Sequence, residues 1–245
     1  MAGIVDVNTM FGVLPEAGLG VSPDALSAMA RKAGIRKLLS TSATGLTWDY
    51  QVGNEETMVA ATAHNDILPV ATIDPRGYHE AQIHALADKG CVAVRLFPES
   101  HGYDPTNVVC QAVLTECSEL LPVMVETRRR GTISRLAEVT QSMPGRFILV
   151  GVTEDLLMEA LHVLARGKVV KGPEFYLETS GLYSKGGLEM AVKHAGADHV
   201  LFGSGAPVVP PGCAITNIKN ADIDDAAREA ILSGNAEKLF SEAAH

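Results

Sequence analysis

Residues 92–126 read VAVRLFPESHGYDPTNVVCQAVLTECSELLPVMVE. A short run rich in valine (92–96) is followed by a polar segment carrying Gly, Asp and Pro. Apolar residues at helical spacing then occupy 107–120, and a second short apolar run follows at 122–126. Strand, loop, helix, strand is the unit of a parallel sheet, because two parallel strands need a long crossover between them. The apolar runs are continuous rather than alternating, the signature of strands covered on both faces.

The same unit recurs along the chain. Strands are predicted at 3–7, 36–40, 67–73, 92–96, 122–126, 147–150, 175–178 and 199–202, with helices near 23–33, 55–65, 79–89, 107–120, 133–142, 155–166, 185–195 and 226–243. The last of these is expected to break around Ser233-Gly234-Asn235. Ser22-Pro23 and Asp104-Pro105 are helix-start signals, Gly53-Asn54 reads as a further N-terminal cap, and Gly34, Gly90 and Gly196 follow helical stretches where a left-handed cap is wanted. Eight such pairs predict an α/β fold of the (β/α)8, or TIM barrel, type. An open doubly wound sheet is the alternative, but the first strand lacks the GxGxxG turn of a dinucleotide site. No linker or composition shift divides residues 1–245, so one barrel domain is expected. The irregular stretches 11–22, 43–53 and 205–222 each follow a strand and would build the rim where barrel active sites lie.

Of the 245 residues, 47% are hydrophobic and 20% charged, enough apolar material for a large core. The formal charge is −9, so nothing favours phosphate backbones or anionic lipid, and neither nucleic acid nor a membrane surface is an expected partner. The first residues lack a basic region followed by an apolar stretch, and no apolar run is long enough to span a bilayer, so a cytoplasmic location is expected. Cys91, Cys110, Cys117 and Cys213 form no CxxC pair, which suits reduced, mostly buried thiols.

Several segments resemble the amidohydrolase-related (amidohydrolase 2) barrels, a family that includes decarboxylases, sugar lactonases and lactone isomerases. Ile4-Val5-Asp6-Val7-Asn8-Thr9-Met10-Phe11-Gly12 is similar to its first strand, usually Asp-x-His-x-His followed by Gly. Val94-Arg95-Leu96-Phe97-Pro98 is similar to its fourth strand and Tyr176-Leu177-Glu178-Thr179-Ser180-Gly181 to its seventh. The run from Ala197 to Pro207 resembles its eighth, usually ending Phe-Gly-Ser-Asp-x-Pro, and Ile231 to Phe240 its closing helix. The resemblance implies a metal-dependent-hydrolase-like barrel, yet all five usual metal positions differ. Asn8 and Met10 replace the first-strand histidines, Glu126 and Gly151 those of strands five and six, and Gly205 the eighth-strand aspartate. Met and Gly cannot complete a zinc site, so neither metal nor other cofactor is expected. Of the eight histidines only His101, in a rim loop, is a candidate for the site, and a solvated position is the plainer reading of it.

Residues two apart on a strand face the same way, and this parity selects a polar set at the strand ends: Asp6, Asn8, Ser40, Ser42, Asp74, Arg76, Arg95, Glu126, Arg128, Glu178, Ser180 and Ser204. Buried charges must be paired or used. One reading makes Asp6, Arg95, Glu126 and Glu178 an ion-pair network filling the former metal site. The other makes Glu126, Glu178 and Asp6 catalytic acids or bases, with Asn8, Arg95, Arg128, Ser204 and Asp74 binding a small anionic substrate, the arginines clamping a carboxylate. Trp48 and Tyr50 fit a lid over a ring-shaped ligand or a contact in a homo-oligomer. The expected function is therefore that of an amidohydrolase-like hydrolase independent of metal, acting on a small carboxylated substrate; a sugar-acid lactone is implied only by the resemblance. Two alternatives stand: a non-catalytic barrel binding a metabolite or partner, and a hydrolase or decarboxylase using a hard cation such as Mg2+ or Mn2+ held by Asp6, Glu126 and Glu178.

Overall fold

The computed structural model describes residues 3–77, 81–167 and 172–241. Its strands are β1 (Ile4–Leu14), β2 (Leu19–Val21), β3 (Ile35–Ser42), β4 (Ile67–Thr72), β5 (Ala93–Leu96), β6 (Val123–Glu126), β7 (Arg146–Val150), β8 (Glu174–Glu178) and β9 (Val200–Leu201). β1 and β3 to β9 are parallel neighbours in chain order, and β2 is a short antiparallel hairpin partner on the outer end of β1. The sheet curls closed where Val7 N–H donates to the Phe202 carbonyl (2.9 Å), Met10 N–H to Ala206 (2.9 Å) and Gly205 N–H to Asn8 (3.0 Å). Eight parallel strands thus close the expected barrel.

Around it lie α1 (Pro23–Ala33), α2 (Thr44–Thr47), α3 (Tyr50–Ala63), α4 (Ala81–Asp88), α5 (Val108–Leu120), α6 (Thr132–Thr140), α7 (Glu154–Gly167), α8 (Gly187–Ala195), α9 (Pro211–Asn220), α10 (Asp225–Glu229) and α11 (Asn235–Ser241). α1 shows how local sequence sets an element. The Ser22 hydroxyl accepts from Ala25 N–H, Pro23 fills the first position, Leu26 and Ala30 are buried one turn apart, and Gly34 ends the helix in the left-handed region at φ 82°.

Two apolar clusters separate the faces of the sheet. Val5, Val7, Leu39, Val70, Ala93, Met124, Ile148, Val150 and Leu201 fill the lumen, with Ala236, Leu239 and Phe240 of α11 packed against them. Leu38, Val94, Leu96, Val123, Val125, Phe147, Leu149, Leu177 and Phe202 face the helices. Strict alternation along β5, β6 and β8 therefore turns Arg95, Glu126 and Glu178 into the lumen.

Several expectations need correction. The rim stretches are not irregular: β1 runs on to Leu14, α2 and the start of α3 lie within 43–53, and α9 lies within 205–222. Gly53 and Asn54 sit inside α3, whose cap is Asp49, accepting from Gln51 and Val52 N–H; Asn54 is buried and pairs with the Thr72 backbone. α5 is capped by Asn107, while Asp104 closes the turn before it through Thr106. The terminal helix does not break: a π turn over Ala230–Gly234 carries α10 into α11, and Asn235 donates to the carbonyls of Ala197 and Val200. His79 and His245, and the expected start of the helix at 79, lie outside the described residues.

Candidate active site at the barrel mouth

Glu178 ends β8 and is fully buried. One oxygen accepts from Gly151 N–H (2.7 Å) and the Ser180 hydroxyl (2.7 Å), the other from Ser180 N–H (2.8 Å). Asn8 joins this group through its amide, which donates to the Ser180 hydroxyl oxygen at 2.9 Å. Glu126, 3% exposed, accepts on both oxygens from Ser100, from its N–H at 2.9 Å and its hydroxyl at 2.8 Å. The Arg128 side chain is largely exposed, with Nε 3.7 Å from Glu126.

Arg95 is 4% exposed and stacks on Phe97, its Cζ 4.8 Å from the ring centroid. Burial pushes its guanidinium down to about 10, against the charges of Glu178 and Glu126, which favour the cation. It remains charged at neutral pH, yet its buried Nε has no hydrogen-bond partner. The structure thus brings Asn8, Arg95, Glu126 and Glu178 together, with Arg128 at their edge.

Strand parity misplaced Asp6, Ser204, Ser40 and Ser42. Val5 and Val7, on either side of Asp6, belong to the lumen, and Asp6 pairs in register with Leu38 of the outer layer. Its carboxylate faces the seam between β1 and the chain after β9, accepting from Asn8 N–H (3.1 Å) and Ser204 N–H (2.9 Å). Burial is the main cause that pushes its carboxyl up to about 7, and its second oxygen is unpartnered. The strand slips register between Asp6 and Thr9, which returns Asn8 to the lumen. Ser42 points outward to Glu56 of α3, and the inward hydroxyls are Thr41 and Thr72, bonded to each other at 3.0 Å.

Asp74 and Arg76 form a rim pair, the carboxylate bound by Nε at 2.9 Å and by the second nitrogen at 2.6 Å. Burial works to raise the Asp74 carboxyl, but its bonds to Arg76, the Arg76 charge and nearby His101 together hold it below the usual carboxylate range. His101 is not solvated: its side chain is only 9% exposed, with Nε2 3.1 Å from the Leu46 carbonyl and Nδ1 4.0 Å from Asp74. These residues line a cleft of about 320 Å³ at the rim, together with Ser100, Asp49 and the exposed Trp48. A larger groove of about 470 Å³ lies outside the barrel, between α3 and α4, away from the strand ends. Ser100 was missed in the sequence; its only signal was its place just after the fourth parallel strand.

The positions of the usual metal ligands do not fit a metal. A Cβ at Gly151 would lie 3.2 Å from the Arg128 side chain and one at Gly205 3.4 Å from Ser180, and both glycines hold left-handed backbone, φ 78° and 72°, that a ligand-bearing residue would strain. Met10 offers a thioether, and Glu126 is engaged by Ser100. Asp6 is directed to the opposite face of its strand from Glu126 and Glu178, which removes the carboxylate triad expected for a hard cation. Among the described residues no three His, Cys, Asp or Glu side chains are arranged to hold a metal ion.

The fold is shared with solved structures. The 2,6-dihydroxybenzoate decarboxylase from Rhizobium superposes with a TM-score of 0.78 at 17% identity, covering 99% of both chains. A dihydroxybenzoic acid decarboxylase from Polaromonas sp. JS666, with bound manganese and the inhibitor 2-nitroresorcinol, gives 0.75 at 17%, covering 98% of this chain and 97% of that one. A protein from Pseudomonas putida assigned as a 2-pyrone-4,6-dicarboxylic acid hydrolase gives 0.72 at 16%, covering 98% of each. Among curated proteins none matches the sequence. No helix among the described residues is long and apolar enough to cross a membrane. The profile of the family described as Amidohydrolase matches residues 54–241, and on that match the chain belongs to the amidohydrolase family.

Proposed function

We propose that this barrel binds a small carboxylated ring compound at its mouth without a transition metal, with Arg95 as the anion contact and Glu126 as the proton carrier. The observation that carries this reading is the buried Arg95 guanidinium with an unpartnered Nε, since a ligand carboxylate would supply the missing acceptors through the planar fork. Glu126 is preferred to Glu178 because its two bonds come from one residue, Ser100, that itself lines the rim cleft, whereas Glu178 is fixed from two strand ends. Asn8 and Arg128 border this space, while Asp6 and Ser204 belong to the seam. The 245 residues are read as one domain, acting as a unit.

Decarboxylation has more support than lactone hydrolysis, because two of the three similar structures described above are decarboxylases of aromatic acids. In such a step the bond to the carboxylate carbon breaks, CO2 leaves and the ring carbon takes a proton. Calorimetric titration with 2,6-dihydroxybenzoate tests binding: Arg95→Met should weaken it by roughly a hundredfold and leave neutral resorcinol little changed. Glu126→Gln should keep affinity and lower CO2 release by about a hundredfold. Elemental analysis after brief chelation should find no stoichiometric zinc, manganese or iron.

The second reading, a non-catalytic binding barrel, is favoured by one observation: every oxygen of Glu126 and Glu178 already accepts a hydrogen bond from the protein. Under that reading the parent binds the ligand without releasing CO2; if both variants keep full ligand affinity and differ from the parent only in thermal stability, the charges are a structural network instead.

A further inference from the structure

The rim cleft contains a histidine whose free nitrogen the proposal above does not use. His101 Nε2 faces the Leu46 carbonyl at 3.1 Å, and a carbonyl only accepts, so Nε2 carries the proton. In the neutral ring Nδ1 is then a lone-pair acceptor. It is buried and unpartnered, and Asp74 at 4.0 Å is too far for a direct bond. A buried acceptor without a donor is a costly arrangement unless something else supplies one.

The surroundings define what that donor would be attached to. Two carboxylates and one guanidinium line the cleft: Asp74 is paired with Arg76 through two nitrogens, and Asp49 accepts on one oxygen from the amides of Gln51 and Val52 at the start of α3. Asp74 and Arg76 neutralise each other, and Asp49 keeps its second oxygen open, so the cleft does not favour an anion. Trp48, 80% exposed, offers an apolar face on the same wall. About 320 Å³ suits a molecule of one ring.

We infer that this cleft is a binding subsite for a neutral hydroxylated ring, whose hydroxyl donates to His101 Nδ1 while the ring lies against Trp48. Ser100 lines the cleft and bonds to Glu126, so the subsite adjoins the lumen. The inference rests on His101 and stands without the carboxylate contact at Arg95.

Trp48 is the sole tryptophan, so its fluorescence reports the cleft directly. Resorcinol should quench it saturably, and 1,3-dimethoxybenzene, which has the same ring but no donor, should bind about tenfold or more weakly. His101→Phe should weaken resorcinol by about tenfold, and His101→Gln, which can both donate to Leu46 and accept, should recover part of that loss. Arg95→Met should leave the resorcinol response at the parent value. Equal responses to resorcinol and its dimethyl ether in the parent protein would overturn the subsite, and that comparison does not depend on any variant folding. The absence of a saturable response, or an unchanged resorcinol affinity in His101→Phe, would do the same. Parallel loss of resorcinol binding in Arg95→Met would show one site rather than two.

Discussion

The lumen and the rim of this barrel treat buried hydrogen-bond acceptors in opposite ways. In the lumen, both carboxylates are saturated by donors that belong to the protein, Gly151, Ser180 and Ser100, and a Cβ at Gly203 would meet a Glu178 oxygen at 2.2 Å. At the rim, His101 is equally enclosed, but its acceptor nitrogen has no donor and it borders an open cleft. Buried acids without a cation must find other partners, and here the nearest are backbone amides and hydroxyls. The rim histidine has found no such partner, and its unmet hydrogen bond is the basis of the subsite inferred above.

The sharpest way to break this comparison is to crowd the lumen. Gly203→Ala would drive a methyl group onto the Glu178 carboxylate and within 2.9 Å of the Asn8 Cβ, and should destabilise the fold by about 3 kcal/mol in denaturant unfolding. A loss near zero would mean the lumen yields easily. Glu178→Gln comes next: its amide would face N–H donors from Gly151 and Ser180, leaving one of them unsatisfied at a cost of about 2 kcal/mol.

The seam gives an effect that depends on pH. Burial raises the Asp6 carboxyl from 3.8 to about 7. Below 3.8 both folded and unfolded chains hold the proton; between 3.8 and about 7 only the folded chain does, so raising pH favours unfolding; above about 7 both are ionised and the slope vanishes. Stability should therefore fall across that window by at most about 1.4 kcal/mol per pH unit from this group, and Asp6→Asn should remove the contribution. The smallest effect is expected at the rim. Trp48→Phe should change unfolding free energy by no more than about 0.5 kcal/mol, because the side chain is exposed, and a larger loss would place the rim with the packed lumen.

The eight parallel strands, their order and the inward facing of Arg95, Glu126 and Glu178 were legible because each depends on a pattern that short buried strands keep, whereas the hairpin strand β2 was not foreseen. Asp6 was misjudged because β1 slips register between Asp6 and Thr9, and nothing in the identities of Val7 and Asn8 announces a slip. Ser40 and Ser42 failed for a different reason: their polarity suggested the lumen, while Leu39 and Thr41, on either side of Ser40, are the inward residues. α2, with four residues, is too short to show a helical period, and α9 was overlooked although Pro210-Pro211 carried a helix-start signal. The burial of His101 depends on how a loop folds back between Leu46 and Phe97, which local sequence does not encode.

The clasp between Asp6 and Ser204 joins residues 198 positions apart, and this sets a timetable. At a synthesis rate of roughly 5–20 residues per second, β1 leaves the ribosome about 10–40 s before the segment that closes against it. β3 covers one edge of β1 early, but the other edge presents unpaired backbone amides and carbonyls for that whole interval. The newborn barrel is thus an open sheet with a bare margin, and whatever shields that margin during translation governs how much of the chain reaches the closed form.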